Sequence, residues 1–166
     1  MDRPIALVTG GGRGIGAAIA HRLHADGAHV VIGDVDPDTA ATTADDLHGS
    51  AAVFDVADSA AVDAAVDAIV HEHGRLDIVV NNAGILATAD DVIGRVAENM
   101  MAEPGAEPQP IGVISTMTDE AWDRMLKVHL YGTFHVTRAA LRHMEPARSG
   151  AIVNLASIYG LSGSVV

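Results

Sequence analysis

The sequence predicts an α/β protein built on a doubly wound parallel sheet. Short apolar runs, each the length of one buried strand, alternate with longer alanine-rich segments of helical character. A glycine-rich stretch joins the first apolar run to the first helix, and polar residues follow the apolar runs. Strands buried on both faces are apolar throughout, and alternation with helices gives parallel pairing with right-handed crossovers. Strands are expected at 4–9, 28–33, 51–55, 76–81 and 150–156, and helices at 14–26, 37–48, 58–73 and 118–146.

The first strand leads into residues 9–16, Thr-Gly-Gly-Gly-Arg-Gly-Ile-Gly. A helix N terminus carries unpaired N–H groups and about half a positive charge, and glycines let an anion approach the backbone closely. The turn therefore indicates a phosphate site, in which Gly10 ends the strand, Gly14 faces the ligand and Gly16 packs against the strand. The spacing matches neither GxGxxG nor a P-loop. A glycine-rich connection without a ligand is the alternative.

The second strand ends at Asp34, about 20 residues beyond the turn, where an acidic residue can accept hydrogen bonds from a ribose. A carboxylate there repels a 2′-phosphate, which favours NAD over NADP. Arg13, inside the turn, is the opposing signal because it could pair with a 2′-phosphate. Asp34 could instead be a capping or turn residue, although Asp36, directly before Pro37 and a new helix, fits that role better.

Composition limits the function classes. The chain has 166 residues, a net charge of −12 with histidine neutral, and no cysteine. Such acidity argues against nucleic acid or an anionic membrane as partner, and the missing cysteines exclude a disulfide framework and thiolate chemistry. We expect a cytoplasmic protein without a secretory signal. The uncharged run at 149–166 is long enough to span a membrane, but its serines, glycines and Asn154 favour a strand and loop.

Nine histidines raise the question of a metal site. His21 and His24 are three residues apart on a predicted helix, and His71 and His73 flank a glutamate. Neither pair belongs to an HExxH motif or to a Cys/His cluster. We therefore interpret them as solvated helix residues and expect no metal.

The alternation is interrupted at about 85–118. A short helix is possible at 90–101, followed by a proline-rich loop at 102–110. Loops of this length are usually lids, interaction elements or disordered segments, and a solvated surface loop is the alternative. Thr118 is a candidate N-cap for the last helix. We expect one nucleotide-binding domain over residues 1–166 that carries this segment as an insertion.

Three stretches resemble motifs of the short-chain dehydrogenase/reductase family: the glycine turn at 9–16, Asn-Asn-Ala-Gly at 81–84, and Ile-Val-Asn-Leu-Ala-Ser at 152–157. Trp122 and residues 128–132 resemble the family's signature in the long helix. The resemblance spans 4–164 apart from the insertion. It implies a Rossmann-type sheet, NAD as cofactor, a small alcohol or ketone as substrate, and a homo-oligomer, dimer or tetramer, for the full-length protein.

The resemblance also implies roles for individual residues. Ser157 would hydrogen-bond the substrate carbonyl and stabilise charge on its oxygen, and a loop serine at a strand end is the alternative. His129 stands where the family usually has an asparagine whose backbone holds a water in a proton relay. That backbone role survives the substitution, and a packed helix histidine is the alternative. The implied cofactor-binding residues are Gly10, Gly12, Arg13, Gly14, Ile15, Gly16, Asp34, Asp55, Val56, Asn82, Ala83 and Gly84, with Asp55 and Val56 beside the adenine.

The family's proton donor is a tyrosine followed four residues later by a lysine, about thirteen residues beyond the serine. No Tyr-x-x-x-Lys occurs in this sequence, because Tyr131 is followed at that spacing by His135 and Tyr159 by Gly163. We therefore expect a sequence truncated after the fifth strand. That strand would form an unpaired, apolar edge of the sheet, which invites association.

The function expected from the resemblance is an NAD-dependent oxidoreductase that interconverts a secondary alcohol and a ketone. Family members that act on 3-hydroxyacyl-CoA carry Val-His-Leu as at 128–130, which favours a 3-hydroxyacyl thioester. A hydroxysteroid is a second candidate substrate. Because the tyrosine and lysine are missing from this chain, a non-catalytic NAD-binding module is the alternative function.

Overall fold

Five short apolar segments form one parallel sheet. None of them alternates polar and apolar residues, as the strands of an antiparallel sheet with one solvated face would. Each is followed by a helix or a loop. The computed structural model describes residues 3–86, 97–103, 105–107 and 115–157. The central strand is buried at every position. The strands are β1 Ile5–Thr9, β2 His29–Asp34, β3 Ser50–Val53, β4 Ile78–Asn81 and β5 Ala151–Asn154.

Some of the helices begin where the sequence supplies a capping side chain. Asp36 accepts hydrogen bonds from the backbone N–H groups of Asp38 and Thr39, and Pro37 occupies the first helical turn. Thr118 caps the last helical stretch through a 3.2 Å hydrogen bond from the Ala121 N–H. Both predicted caps are confirmed. The helices are α1 Gly14–Ala25, α2 Pro37–Asp46, α3 Ser59–His73, α4 Asp119–Leu126, a π-helical turn Lys127–Tyr131 and α5 Gly132–Ala147, and residues 97–101 are also helical.

The strand order is β3-β2-β1-β4-β5, and every neighbouring pair is parallel. The chain therefore builds outward from β1 to β3 on one side and then crosses to β4 on the other. This reversal opens a crevice beyond the carboxyl ends of β1 and β4, which is where doubly wound sheets bind ligands. The predicted α/β doubly wound fold is confirmed.

The structure differs from the predicted boundaries at several elements. The third strand is Ser50–Val53 where 51–55 was expected, and the fourth begins at Ile78 where 76 was expected. The helix predicted at 118–146 contains a π-helical turn between α4 and α5. The last strand is shorter than the predicted 150–156, although the Leu155 N–H still donates to the Asn81 carbonyl at 3.0 Å. In the interrupting segment, residues 97–101 are helical, whereas the first part of the helix predicted at 90–101 and much of the proline-rich loop lie outside the described residues.

The chain divides into two compact units. The first consists of Met1–Gly84 with Lys127–Leu155 and holds the sheet, α1 to α3, the π-helical turn and α5. The second consists of Ile85–Leu126 with Ala156–Val166 and holds α4. Within the described parts of the chain, no helix has both the length and the apolar character needed to cross a membrane.

Candidate functional site

The glycine turn at the end of β1 takes a shape that only glycines adopt easily. Gly10 and Gly14 have φ angles of 62° and 57°, in the left-handed region. A Cβ on Gly16 would overlap the carbonyl oxygen of Gly10. A Cβ on Gly14 would meet no atom within 4 Å. Gly16 therefore allows the helix to approach the strand, whereas Gly14 borders open space.

Asn82 holds one side of the glycine turn against the end of β4 by hydrogen bonds. Its side-chain N–H₂ group donates to the carbonyl oxygens of Thr9 and Gly10, both at 3.0 Å. The buried Thr9 hydroxyl accepts from the N–H groups of Asn82 and Ala83 at 3.1 Å, and it donates to the Val80 carbonyl at 3.3 Å. These bonds join the two strands that flank the crevice at the point where both end.

Asp34 and α2 hold the other side of the glycine turn by hydrogen bonds. The Asp34 Oδ2 atom accepts from the Gly12 N–H at 2.9 Å, and its Oδ1 atom accepts from the Asp36 N–H at 3.1 Å. The Thr43 hydroxyl donates to the Gly12 carbonyl at 2.9 Å. A carboxylate offers about four acceptor positions, so Asp34 keeps capacity for a ligand while its orientation is fixed.

Between these two attachments the turn is open. Arg13 is exposed in an extended conformation, and its side chain makes no capping hydrogen bond to α1. Ile15 is 68% exposed although it is a large apolar residue. The first backbone N–H groups of a helix have no partner within the helix, and this end carries the positive part of its dipole. The arrangement fits a nucleotide pyrophosphate, because it offers donors, a positive field and free space at Gly14.

Two further residues at this site were missed by the sequence reasoning. Val35 follows Asp34 directly and is 62% exposed, so it presents apolar surface at the carboxyl end of β2. The sequence signal for Val35 was its position directly after Asp34, the carboxylate at the end of β2. Thr43 is buried on α2 together with Ala40 and Ala44. The i, i+3, i+4 spacing of these three residues was a signal that Thr43 faces inward.

Asp55 and Val56, predicted to flank the adenine, lie in the connection after β3. The Asp55 side chain accepts from the Ala57 N–H at 2.9 Å and so forms a local turn. The Val56 side chain is buried against Gly132, where a Cβ would lie 2.7 Å from Val56 Cγ2. The Val56 carbonyl is 3.0 Å from His135 Nδ1. This connection is thereby held against α5, and the adenine contact stays a prediction.

Asn81 holds the ends of β4 and β5 together. Its side chain donates to Asn154 Oδ1 at 2.8 Å and to the Thr137 hydroxyl at 3.1 Å. Asn81 and Asn154 are also register partners in the sheet. Asn81 therefore ties the end of β4 both to the outer strand β5 and to α5.

His129 lies in the π-helical turn beside Gly84. A Cβ on Gly84 would lie 2.8 Å from His129 Cε1, so a larger residue at 84 would require this ring to move. The His129 carbonyl accepts a 2.8 Å hydrogen bond from the Thr133 hydroxyl. Turns of π-helix are rare and frequently occur at functional sites.

Ser157 is exposed, three residues beyond the end of β5, and belongs to the second unit. In the first unit, the structure brings most of the predicted site residues together. Gly10, Gly12, Arg13, Gly14, Ile15, Gly16, Asp34, Asn82 and Ala83 lie on or directly against the glycine turn, and Gly84 lies against His129.

Comparison with known proteins shows a broad match. The 3-oxoacyl-(acyl-carrier-protein) reductase FabG of Chlamydia muridarum is 36% identical over an alignment of 165 positions, which covers 96% of this chain and 57% of that protein. The 3-alpha-(or 20-beta)-hydroxysteroid dehydrogenase of Mycobacterium bovis is 36% identical over 163 residues, 97% of this chain and 54% of that protein. The chain thus spans little more than half the length of these curated relatives.

The crystal structure of gox2181 superposes with a TM-score of 0.77 at 30% sequence identity, covering 97% of this chain and 56% of that one. Residues 4–166 match the family described as short chain dehydrogenase. That match includes the glycine turn, Asp34, the Asn81–Gly84 stretch and the end of β5. The chain therefore belongs to the short-chain dehydrogenase family.

Proposed function

We propose that this chain forms the cofactor-binding part of an NAD-dependent oxidoreductase that interconverts a secondary alcohol and a ketone. The observation that carries the proposal is the glycine turn, which is fixed at both sides and open at its centre. Asn82 holds Gly10, Asp34 holds Gly12, and Gly14 borders free space. A nicotinamide nucleotide bound there would supply hydride-transfer chemistry. The chain's own residues bind and orient it.

Asp34 supports NAD over NADP. Its carboxylate is held in one orientation by the Gly12 and Asp36 N–H groups, and it keeps acceptor positions for ribose hydroxyls. A 2′-phosphate near it would meet like charge. Val35, exposed directly after Asp34, offers an apolar surface on which an adenine could pack. Arg13 is the residue that would favour a 2′-phosphate.

The substrate class follows from the names of the relatives. The two relatives named above are a 3-oxoacyl reductase and a hydroxysteroid dehydrogenase, and both names describe an oxo or hydroxy carbon. We propose a 3-hydroxyacyl thioester or a hydroxysteroid for the full-length protein, and a homo-oligomer as its assembly. Ser157 would donate a hydrogen bond to the substrate oxygen. The backbone carbonyl of His129 would hold a water of a proton relay.

The test is NAD⁺ binding by the 166-residue chain, measured by calorimetry. Gly14→Val should weaken binding by more than about tenfold, because the side chain would enter the space left for the pyrophosphate. Gly74→Val is the matched control. Gly74 also has a positive φ, 75°, and open space around it, but it caps the far end of α3. Equal affinities of both variants for NAD⁺ would contradict the proposal.

The cofactor preference has its own test. Asp34→Ala should reduce the ratio of NAD⁺ to NADP⁺ affinity, because it removes both the ribose acceptor and the repelling charge. Calorimetric titrations of wild type and variant with the two nucleotides measure this ratio. An unchanged ratio would show that Asp34 does not set the preference.

A further inference from the structure

We infer that Thr43, on the buried face of α2, is a positioning residue for the nucleotide site. It does not reach the open centre of the turn itself. Its hydroxyl donates to the Gly12 carbonyl at 2.9 Å, across 31 positions of sequence. This bond links α2 to Gly12, the residue directly before the open part of the turn. The inference rests on the proposed nucleotide-binding function.

Gly12 is held by hydrogen bonds at both of its polar backbone atoms. Its N–H donates to Asp34 Oδ2 at 2.9 Å, so both polar backbone atoms of Gly12 are engaged. A Cβ on Gly12 would lie 2.6 Å from the Thr39 hydroxyl and 2.9 Å from Asp34 Oδ2. The residue is therefore enclosed between β2 and α2. Any shift of Gly12 must be shared with Arg13 and Gly14.

The hydroxyl of Thr43, more than its volume, is the part that matters. Thr43 is 6% exposed, so neither its hydroxyl nor the Gly12 carbonyl can readily turn to water. Removing the hydroxyl would leave that carbonyl without its hydrogen-bond partner on α2, while the Gly12 N–H would still donate to Asp34. The peptide plane after Gly12 would then be free to rotate. That rotation would misdirect the N–H groups at the start of α1, which are the proposed pyrophosphate donors.

Thr43→Val tests this with an isosteric side chain. The matched control is Thr42→Val on the same helix, where the exposed Thr42 hydroxyl donates only to the Asp38 carbonyl of its own helix. Wild type and variants are titrated with NAD⁺ and with adenosine, which lacks the pyrophosphate, and thermal unfolding is recorded for each. Thr43→Val should bind NAD⁺ about five- to tenfold more weakly. Its adenosine affinity should stay within about twofold of wild type, because only donors to the pyrophosphate move.

Thr43→Ser should restore NAD⁺ affinity to within about twofold, since it keeps the donor and loses only a methyl group. Thr43→Cys, with a weak S–H donor, should fall between Ser and Val, and it carries the test if Thr43→Val does not fold. Equal NAD⁺ affinity in Thr43→Val and wild type would overturn the inference. So would a parallel loss of adenosine affinity, or a loss in Thr43→Ser as large as in Thr43→Val. If wild type binds neither NAD⁺ nor NADP⁺, the proposed function fails first and the inference fails with it.

Discussion

At the residue scale, glycine serves two different purposes within one turn. Gly16 is required because a Cβ would strike the Gly10 carbonyl, so an alanine there should disturb packing in any state of the protein. Gly14 has no neighbour that a Cβ would meet, and its left-handed φ alone would cost an alanine about 1–2 kcal/mol. Gly14 is therefore required for its backbone conformation, and the free space beside it is where the proposed pyrophosphate would lie.

His29, at the opposite end of the sheet, lies in a cluster of basic groups. Its ring centroid is 4.7 Å from that of His73, and its Nε2 atom is 3.0 Å from the Ser50 hydroxyl. Burial lowers the pKa of His29 below its ordinary value, and the nearby positive groups lower it further. Those groups are His73, Arg3 and His24, and they are partly opposed by Glu72.

The lowered pKa of His29 predicts a loss of stability in mild acid. A histidine whose pKa is lower in the folded state contributes its full stability above its unfolded pKa of about 6.5. That contribution is lost as the pH falls from there through the folded pKa. The free energy of unfolding should therefore decrease between about pH 7 and pH 5, and His29→Gln should flatten this slope. Urea unfolding across this range measures it.

The control for His29→Gln is the same substitution at the exposed His21 on α1. His21→Gln should keep the wild-type slope. Equal slopes for wild type and His29→Gln would show that His29 does not titrate differently in the folded and unfolded states.

At the element scale, α3 and α5 are joined by charged side chains in matching rows. Asp63 pairs with Arg142 at 2.6 Å and with Arg138 at 3.6 Å. Arg138 also donates to the Ser59 hydroxyl at 2.7 Å. Ser59 and Asp63 on α3, like Arg138 and Arg142 on α5, are four residues apart and so share one helix face. These contacts fix which face of α5 lies against α3.

Asp63→Asn should destabilise the chain near neutral pH and change the acid limb of its stability. The hydrogen bond from Arg142 lowers the pKa of Asp63, against the opposing effect of burial, and the charges of Arg142 and Arg138 lower it further. A carboxylate with a lowered pKa stabilises the fold above its unfolded pKa of about 4, and this is lost as the pH falls through the folded pKa. The variant should lose stability less steeply below about pH 4. Thermal unfolding between pH 3 and 7 measures the difference.

Asp46→Asn, at an exposed position of α2, is the control for that substitution. It should leave the acid limb as in wild type. If Asp63→Asn follows the wild-type pH profile, the pairing with Arg142 does not contribute to stability.

The elements themselves could be predicted because their signals are local. Asp36 directly before Pro37 indicates the start of a helix, and apolar runs such as Val30–Ile32 indicate buried strands. The π-helical turn could not be predicted, because no single residue among Lys127–Tyr131 requires it. The apolar Leu155 extends the predicted fifth strand to 156, whereas β5 ends at Asn154.

At the scale of the whole molecule, the two outer strands of the sheet differ in apolar surface. On the β3 side the strand reads Ser-Ala-Ala-Val, and only Val53 is a large exposed residue. On the β5 side, Val153 is 50% and Leu155 41% exposed. In the described part of the chain β5 pairs only with β4. An exposed apolar edge with free backbone groups favours pairing with another strand.

We predict that the 166-residue chain associates through β5 as its concentration rises. Val153→Lys should shift sedimentation velocity profiles toward the monomer, because a charged side chain on an edge strand opposes pairing. Val53→Lys, the same substitution on the other outer strand, should have a smaller effect. A larger effect from Val53→Lys would place the association at β3 instead.

Much of the candidate site could be predicted because its residues end strands. Asp34 and Asn82 follow apolar runs, and the topology of a parallel sheet then brings them to one edge. Contacts that join distant segments could not be predicted in the same way. The bond from Thr43 to Gly12 and the packing of Val56 against Gly132 depend on helix rotation and depth, which strand periodicity does not report.

The π-helical turn Lys127–Tyr131 sets the rotational phase of everything that follows it in α5. An α-helix advances about 100° per residue, and a π-helical turn accommodates one residue more than an α-helical turn does. Deleting one residue there would let an unbroken α-helix form and would turn α5 by about 100° relative to Lys127, where the turn begins. Arg142 would swing away from Asp63, and Gly132 away from Val56. The length of this turn therefore fixes which face of α5 lies against α3, and single-residue insertions or deletions within it should be tolerated less well than alanine substitutions of its exposed residues.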